Sequence, residues 1–142
     1  MKMTGIVAAV VLAVMCAGTT AANAGWDEGV AAFTSKNYQQ AVVQFKEVVR
    51  RDPENWEAHL YLGRAYTELG EYARARRSLK QAERRAFAAK PAERKRIWKQ
   101  LGYTYEKQKK YNKARQAYVQ AGEARDAARV ERLRRKGRVR TR

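Results

Sequence analysis

Between residues 26 and 124 the apolar and polar positions follow a helical period, and the same pattern returns three times. Gly29, Gly63 and Gly102 each stand nine residues before a tyrosine: Tyr38, Tyr72 and Tyr111. Three residues after each tyrosine comes Ala41, Ala75 or Ala114; four later Phe45, Leu79 or Tyr118; three later Val48, Ala82 or Ala121. Offsets of three and four lie on one face of an α-helix, so each block from the tyrosine onward is predicted to be amphipathic and helical. Its small alanine lets a neighbouring helix approach. A preceding helix is marked by Leu62-Gly63 with Tyr66 and by Leu101-Gly102 with Tyr105. It is joined to the second by Leu69-Gly70-Glu71 or by Gln108-Lys109-Lys110. Glycine inside a helix costs up to about 1 kcal/mol against alanine, which makes sense where two helix backbones nearly touch. The predicted unit is a helical hairpin, with 34 residues from Gly29 to Gly63.

From Gly63 to Gly102 the distance is 39, and the surplus falls between Arg84 and Lys95. Pro91 suits the first position of a helix. A break near Ala89-Lys90, lengthened helices, a third hairpin from Pro91 and a protruding extra turn are therefore expected. Beyond Gly122, the thin stripe of Ala124, Ala127, Val130 and Leu133 predicts a short capping helix. Arg132 to Arg142 contain seven Lys/Arg and no acid, a composition that predicts a mobile basic tail.

The pattern resembles the tetratricopeptide repeat, whose Leu-Gly, Tyr, Ala, aromatic and Ala signature is matched best by Leu62, Gly63, Tyr66, Tyr72, Ala75, Leu79 and Ala82. Asp52-Pro53 stands at that family's helix-stopping position. Repeat one departs from the pattern, with Glu28 before its glycine and Ala32 for the usual tyrosine, as suits a terminal repeat. The resemblance implies an all-α, right-handed α-solenoid of about three hairpins plus a capping helix. The segments expected are 25–55, 56–90 and 91–124 for the repeats, 125–136 for the cap and 137–142 for a disordered basic tail.

Ahead of the repeats, Lys2 precedes an uncharged apolar run from Ile6 to Met15 and small residues ending Ala22-Asn23-Ala24, the form of an export signal over residues 1–24. Cleavage after Ala24 and a periplasmic or secreted mature protein are expected. Thr19, Thr20 and Asn23 shorten the apolar stretch below the ~20 residues a membrane span needs. Cys16 would leave with the signal, and Met15 before it argues against lipidation, so no disulfide is expected.

Net charge is +17 and lies at one end. Residues 25–69 hold five Lys/Arg against seven Asp/Glu, whereas residues 70–142 hold twenty-five against seven, sixteen of the twenty-five being arginine. Such a field attracts polyanions or acidic faces without naming one.

Catalytic chemistry finds little to work with. His59 is the single histidine and is read as a packing residue, since no cysteine or carboxylate cluster completes a metal or nucleophile site. The reading is that of a non-enzyme with no cofactor and no metal. In the resembled family, ligands lie in the concave groove lined by first helices. Carried over residue by residue, this selects Trp26, Val30 and Phe33, then Leu60, Arg64 and Thr67, then Arg96, Lys99, Tyr103 and Glu106. Some family members grip a C-terminal carboxylate with Lys, Asn and Arg; here the corresponding places carry Trp26, Val30, Tyr61, Arg96 and Gln100, which implies a different ligand. A second, basic surface is expected from Arg74, Arg77, Arg84 and Arg85, continued by Arg132, Arg134, Arg135, Lys136 and Arg138.

Three classes of partner compete. The leading one is another protein, a peptide or helix bearing acidic groups, captured in the groove of a cell-envelope scaffold. The alternative is an anionic envelope lipid, lipopolysaccharide or wall polymer held by the basic surface. Nucleic acid would bind such a charge nonspecifically, and export disfavours it. Self-association through the third hairpin is left open.

Overall fold

The computed structural model describes residues 24–86 and 91–139, and these residues form seven helices. They are α1 (Ala24–Thr34), α2 (Tyr38–Arg51), α3 (Trp56–Glu68), α4 (Tyr72–Arg85), α5 (Pro91–Lys107), α6 (Tyr111–Gln120) and α7 (Ala124–Val139). No helix among the described residues is long and apolar enough to cross a membrane. The expected signal over residues 1–24 and the expected break near Ala89-Lys90 lie outside the described residues, apart from Ala24 at the start of α1.

The hairpin turns share one geometry. A residue in the left-handed region follows each first helix: Lys36 (φ 61°), Gly70 (φ 76°) and Lys109 (φ 58°). The next N–H then reaches back five residues, from Asn37 to the Ala32 carbonyl, from Glu71 to that of Tyr66 and from Lys110 to that of Tyr105, at 2.8 to 2.9 Å. This satisfies the carbonyls a helix end leaves bare. Gly122 (φ 74°) repeats the device between α6 and α7, with the Glu123 N–H on the Tyr118 carbonyl. Asn37 and Asn55 cap α2 and α3 by accepting from Gln40 and Ala58.

The apolar positions counted in the sequence make the core, which runs as a chain of neighbouring clusters along the solenoid. Ala41, Phe45, Leu62, Ala65 and Ala75 join the first two hairpins. Leu60, Leu79, Ala82, Ile97, Leu101 and Ala117 join the second and third. Ala114, Tyr118, Ala127 and Val130 seat α7 on the end.

Two expectations change. The helices around the insertion are not both lengthened: α4 has 14 residues, as α2 does, whereas α5 has 17 against 13 in α3. The extra turn sits at the start of α5, because Pro91 begins a helix there. The C-terminal segment is also no mobile tail from Arg132: α7 stays helical to Val139. Glu131 explains this, since it accepts from Arg134 and Arg135 one turn on, neutralising charge that would otherwise repel. Residues 140–142 lie outside the described residues.

Candidate functional site

First helices α1, α3 and α5 turn one face to a common basin of about 510 Å³. Phe33 comes from α1, Leu60 and Arg64 from α3, and Arg96, Lys99 and Tyr103 from α5. Leu60, only 2% exposed, forms floor rather than rim. Helix α7 lines the basin as well, through Asp126 and Arg129.

Four of the ten residues expected in the groove do not line it. Trp26 and Val30 are half-buried in the first core cluster, where Trp26 meets Phe45 and Tyr61 edge to face at 5.6 and 5.3 Å. Thr67 is 1% exposed, because its face of α3 packs on α5. Its hydroxyl lies 2.8 Å from the Thr104 hydroxyl, and each also approaches a carbonyl of its own helix, Gly63 or Gln100. Two hydroxyl protons serve three contacts, so one threonine donates to the other and forgoes its own carbonyl. Glu106 is taken up by α6 and α7: it accepts from the Tyr118 hydroxyl and from Arg129. Burial first, then this bond, pushes the Tyr118 phenol up, and the same carboxylate leads in raising Arg129.

The basin's cations differ in what holds them. Arg96 pairs with Glu57 at 3.3 Å, Lys99 with Glu123 at 2.9 Å, and Arg129 with Glu106 and Asp126. Arg64 has no ion pair among the described residues. Its guanidinium instead lies over Phe33 and Tyr61, 4.7 and 4.9 Å from their ring centroids. The rings fix the side chain while leaving its N–H fork unneutralised. Nothing in the sequence distinguished Arg64 from Arg96 or Lys99, because every acid that pairs with the others is remote in the chain. Glu68, Gln100, Tyr118, Asp126 and Arg129 also line the basin and were not among the residues selected for the groove.

The expected basic surface also divides. Arg77, Arg84, Arg132 and Lys136 are exposed. Arg74 pairs with Glu71, and Arg134 and Arg135 share Glu131. Arg85 is corrected outright, since its side chain is 20% exposed and bonds the Pro53 carbonyl and Gln81, tying the end of α4 to the α2–α3 loop. The side chain of Arg138 falls outside the described residues. His59 packs beside the same loop, its Nε2 donating to the Pro53 carbonyl at 3.0 Å.

Among the described residues no three His, Cys, Asp or Glu side chains gather as a metal-ligand set. No curated protein matches the chain. Solved structures do match. The N-terminal domain of stress-induced protein-1 from C. elegans is 22% identical over 82% of this chain and 96% of its own, with a TM-score of 0.67. The Sgt2 TPR domain of Aspergillus fumigatus is 18% identical over 84% of this chain and 83% of its own, with a TM-score of 0.70. The TPR2B domain of yeast Sti1, in a complex with pHsp70, is 19% identical over 79% of this chain and 91% of its own, with a TM-score of 0.64. At these identities the likeness is one of fold. Residues 32–92 and residues 96–125 each match the tetratricopeptide repeat, together nearly two thirds of the chain, and the protein belongs to that family.

Proposed function

We propose that this protein is a non-catalytic adaptor of the bacterial cell envelope that holds a segment of another protein in the basin between α1, α3 and α5. Arg64 carries the assignment. It is the basin cation without an ion pair among the described residues, held against two aromatic rings, with Phe33, Leu60 and Tyr103 around it. Such a site suits an extended or helical segment with one carboxylate and apolar side chains beside it. The yeast Sti1 domain, captured with pHsp70, supports the idea that this fold can hold a protein ligand. Envelope placement rests on the export signal read in residues 1–24.

Crosslinking capture from envelope extract, run with the wild type beside Arg64→Glu and Arg64→Lys, tests the proposal. A protein recovered by the wild type, lost with Arg64→Glu and partly retained with Arg64→Lys identifies the partner. Equal recovery by all three removes the basin as the binding site.

Helix α7 favours a second role, in localisation. Arg132 and Lys136 are exposed on it without ion pairs among the described residues, and each contributes ~1 kcal/mol near an anionic surface. Deleting residues 132–142 is expected to abolish binding to anionic lipid, lipopolysaccharide or wall polymer at low salt while leaving capture in the basin intact. Unchanged binding by the deletion variant sinks this role.

A further inference from the structure

A second recess lies on the far side of α3 from the basin. Leu60, Arg64 and Glu68 face the basin, whereas Leu62 and Tyr66, offset by two residues and so by roughly 200° around the helix, face the other way. There they floor a trough of about 430 Å³ whose walls are α2 and α4. No residue lines both recesses.

The floor is apolar and includes Val49 of α2, while the rim is cationic. On the rim Arg50 is held by Glu47 at 2.6 Å and Arg74 by Glu71 at 2.6 Å. Lys46 on the α2 wall and Arg77 on the α4 wall have no ion pair among the described residues, and both are exposed. Tyr66 and Ser78 line the trough at 9% and 8% exposed, and among the described residues no buried side-chain polar atom lacks a hydrogen-bond partner, so any hydroxyl here without one is reached by solvent.

Two cations without ion pairs among the described residues, one on each wall above an apolar floor, complement a carboxylate next to an aliphatic group. We infer that the trough between α2 and α4 is a second docking site, for an acidic amphipathic segment of a partner protein, whose carboxylate lies between Lys46 and Arg77 and whose apolar residue rests on Leu62 and Val49. A recess between two helix ridges admits protruding side chains, whereas a planar headgroup layer meets the ridges and leaves the floor empty. The site is independent of the basin and of what binds there.

The test uses the full-length chain and a labelled helical peptide of leucine and glutamate in helical period, with its leucine–lysine counterpart as control. Binding is followed by fluorescence anisotropy and by the methyl resonances of Leu62 and Val49. The acidic peptide is expected to bind and to shift both methyls. Lys46→Glu with Arg77→Glu is expected to weaken it at least tenfold. Arg64→Glu is expected to leave the Leu62 and Val49 methyl shifts unchanged. Absence of binding, unshifted methyls, equal affinity in the Lys46/Arg77 variant, loss of the methyl shifts on Arg64→Glu, or phosphatidylglycerol vesicles shifting the two methyls in place of the peptide would each overturn the inference. The methyl shifts need no variant, so a poorly folded substitution leaves the test intact.

Discussion

The ring of Tyr118 lies directly on the backbone of Gly102, so that a β-carbon at Gly102 would come within 2.7 Å of the tyrosine Cδ1. Leu79 sits on Gly63 and Phe45 on Gly29 in the same way, at 2.6 and 2.8 Å. The recurrent glycine is therefore a seat for the large residue of the second helix. The sequence pattern suggested two touching backbones; the nearest atoms at all three glycines are instead side-chain carbons, with the Ala75 carbonyl oxygen following at 3.2 Å from the carbon added at Gly63.

Gly63→Ala is expected to lower stability although alanine is the better helix former. Overpacking against a fully buried leucine costs about 1–3 kcal/mol, and the propensity gain returns at most about 1. Urea unfolding measures the difference. Combining Gly63→Ala with Leu79→Ala is expected to show strong positive coupling, and additive losses would refute the seat.

Substituting both Thr67 and Thr104 by valine is expected to change stability by less than about 1 kcal/mol, because both partners of the contact disappear together. Thr67→Val alone also leaves Thr104 free to donate to the Gln100 carbonyl. A loss above about 2 kcal/mol in the double variant, read by thermal melting, would mean the hydroxyl pair does more than fill space.

His59 sets a pH dependence. Burial, outweighing the bond to the Pro53 carbonyl, lowers its pKa below the ordinary 6.5. The unfolded chain then binds the proton more tightly, so this contribution is complete above pH 6.5 and is lost as pH falls through the folded value. His59→Phe is expected to flatten melting temperature against pH in that window; an unchanged slope would place the titration elsewhere.

Glu131 holds the end of α7. Its bond from Arg134, with help from Arg135, lowers its pKa to about 2, so its contribution is present above the ordinary 4.5 and lost as pH falls through about 2. Glu131→Gln is expected to reduce helicity at neutral pH and to remove that acid transition, as followed by circular dichroism. Helicity identical to the wild type would show that Glu131 does not hold the end of α7.

The hairpins were legible in the chain because everything that specifies them is local. Gly63, Tyr72, Ala75 and Leu79 belong to one pair of helices joined by a tight turn, and the three- and four-residue offsets record which face each buries. The basin was legible in outline for the same reason: Phe33, Leu60, Arg64, Arg96, Lys99 and Tyr103 lie where repeat register puts them. Trp26, Val30, Thr67 and Glu106 share that register yet are diverted: Thr67 by Thr104 of the next repeat, Glu106 by Tyr118 and by Arg129 of α7, and Trp26 and Val30 into the core around Phe45 and Tyr61.

The sequence by itself determined the helices, their pairing and the core, since a helix reads its own period and a short turn leaves its partner no choice. Only the tertiary structure decided which cations are free. Arg96 meets Glu57 across 39 residues, Lys99 meets Glu123 across 24, Arg129 meets Glu106 across 23 and Arg85 meets the Pro53 carbonyl across 32. A charge is neutralised by whatever lies within about 4 Å in space, and the stacking of hairpins brings those partners together. Among the described residues Arg64, Lys46 and Arg77, like Arg132 and Lys136, meet no acid within that distance.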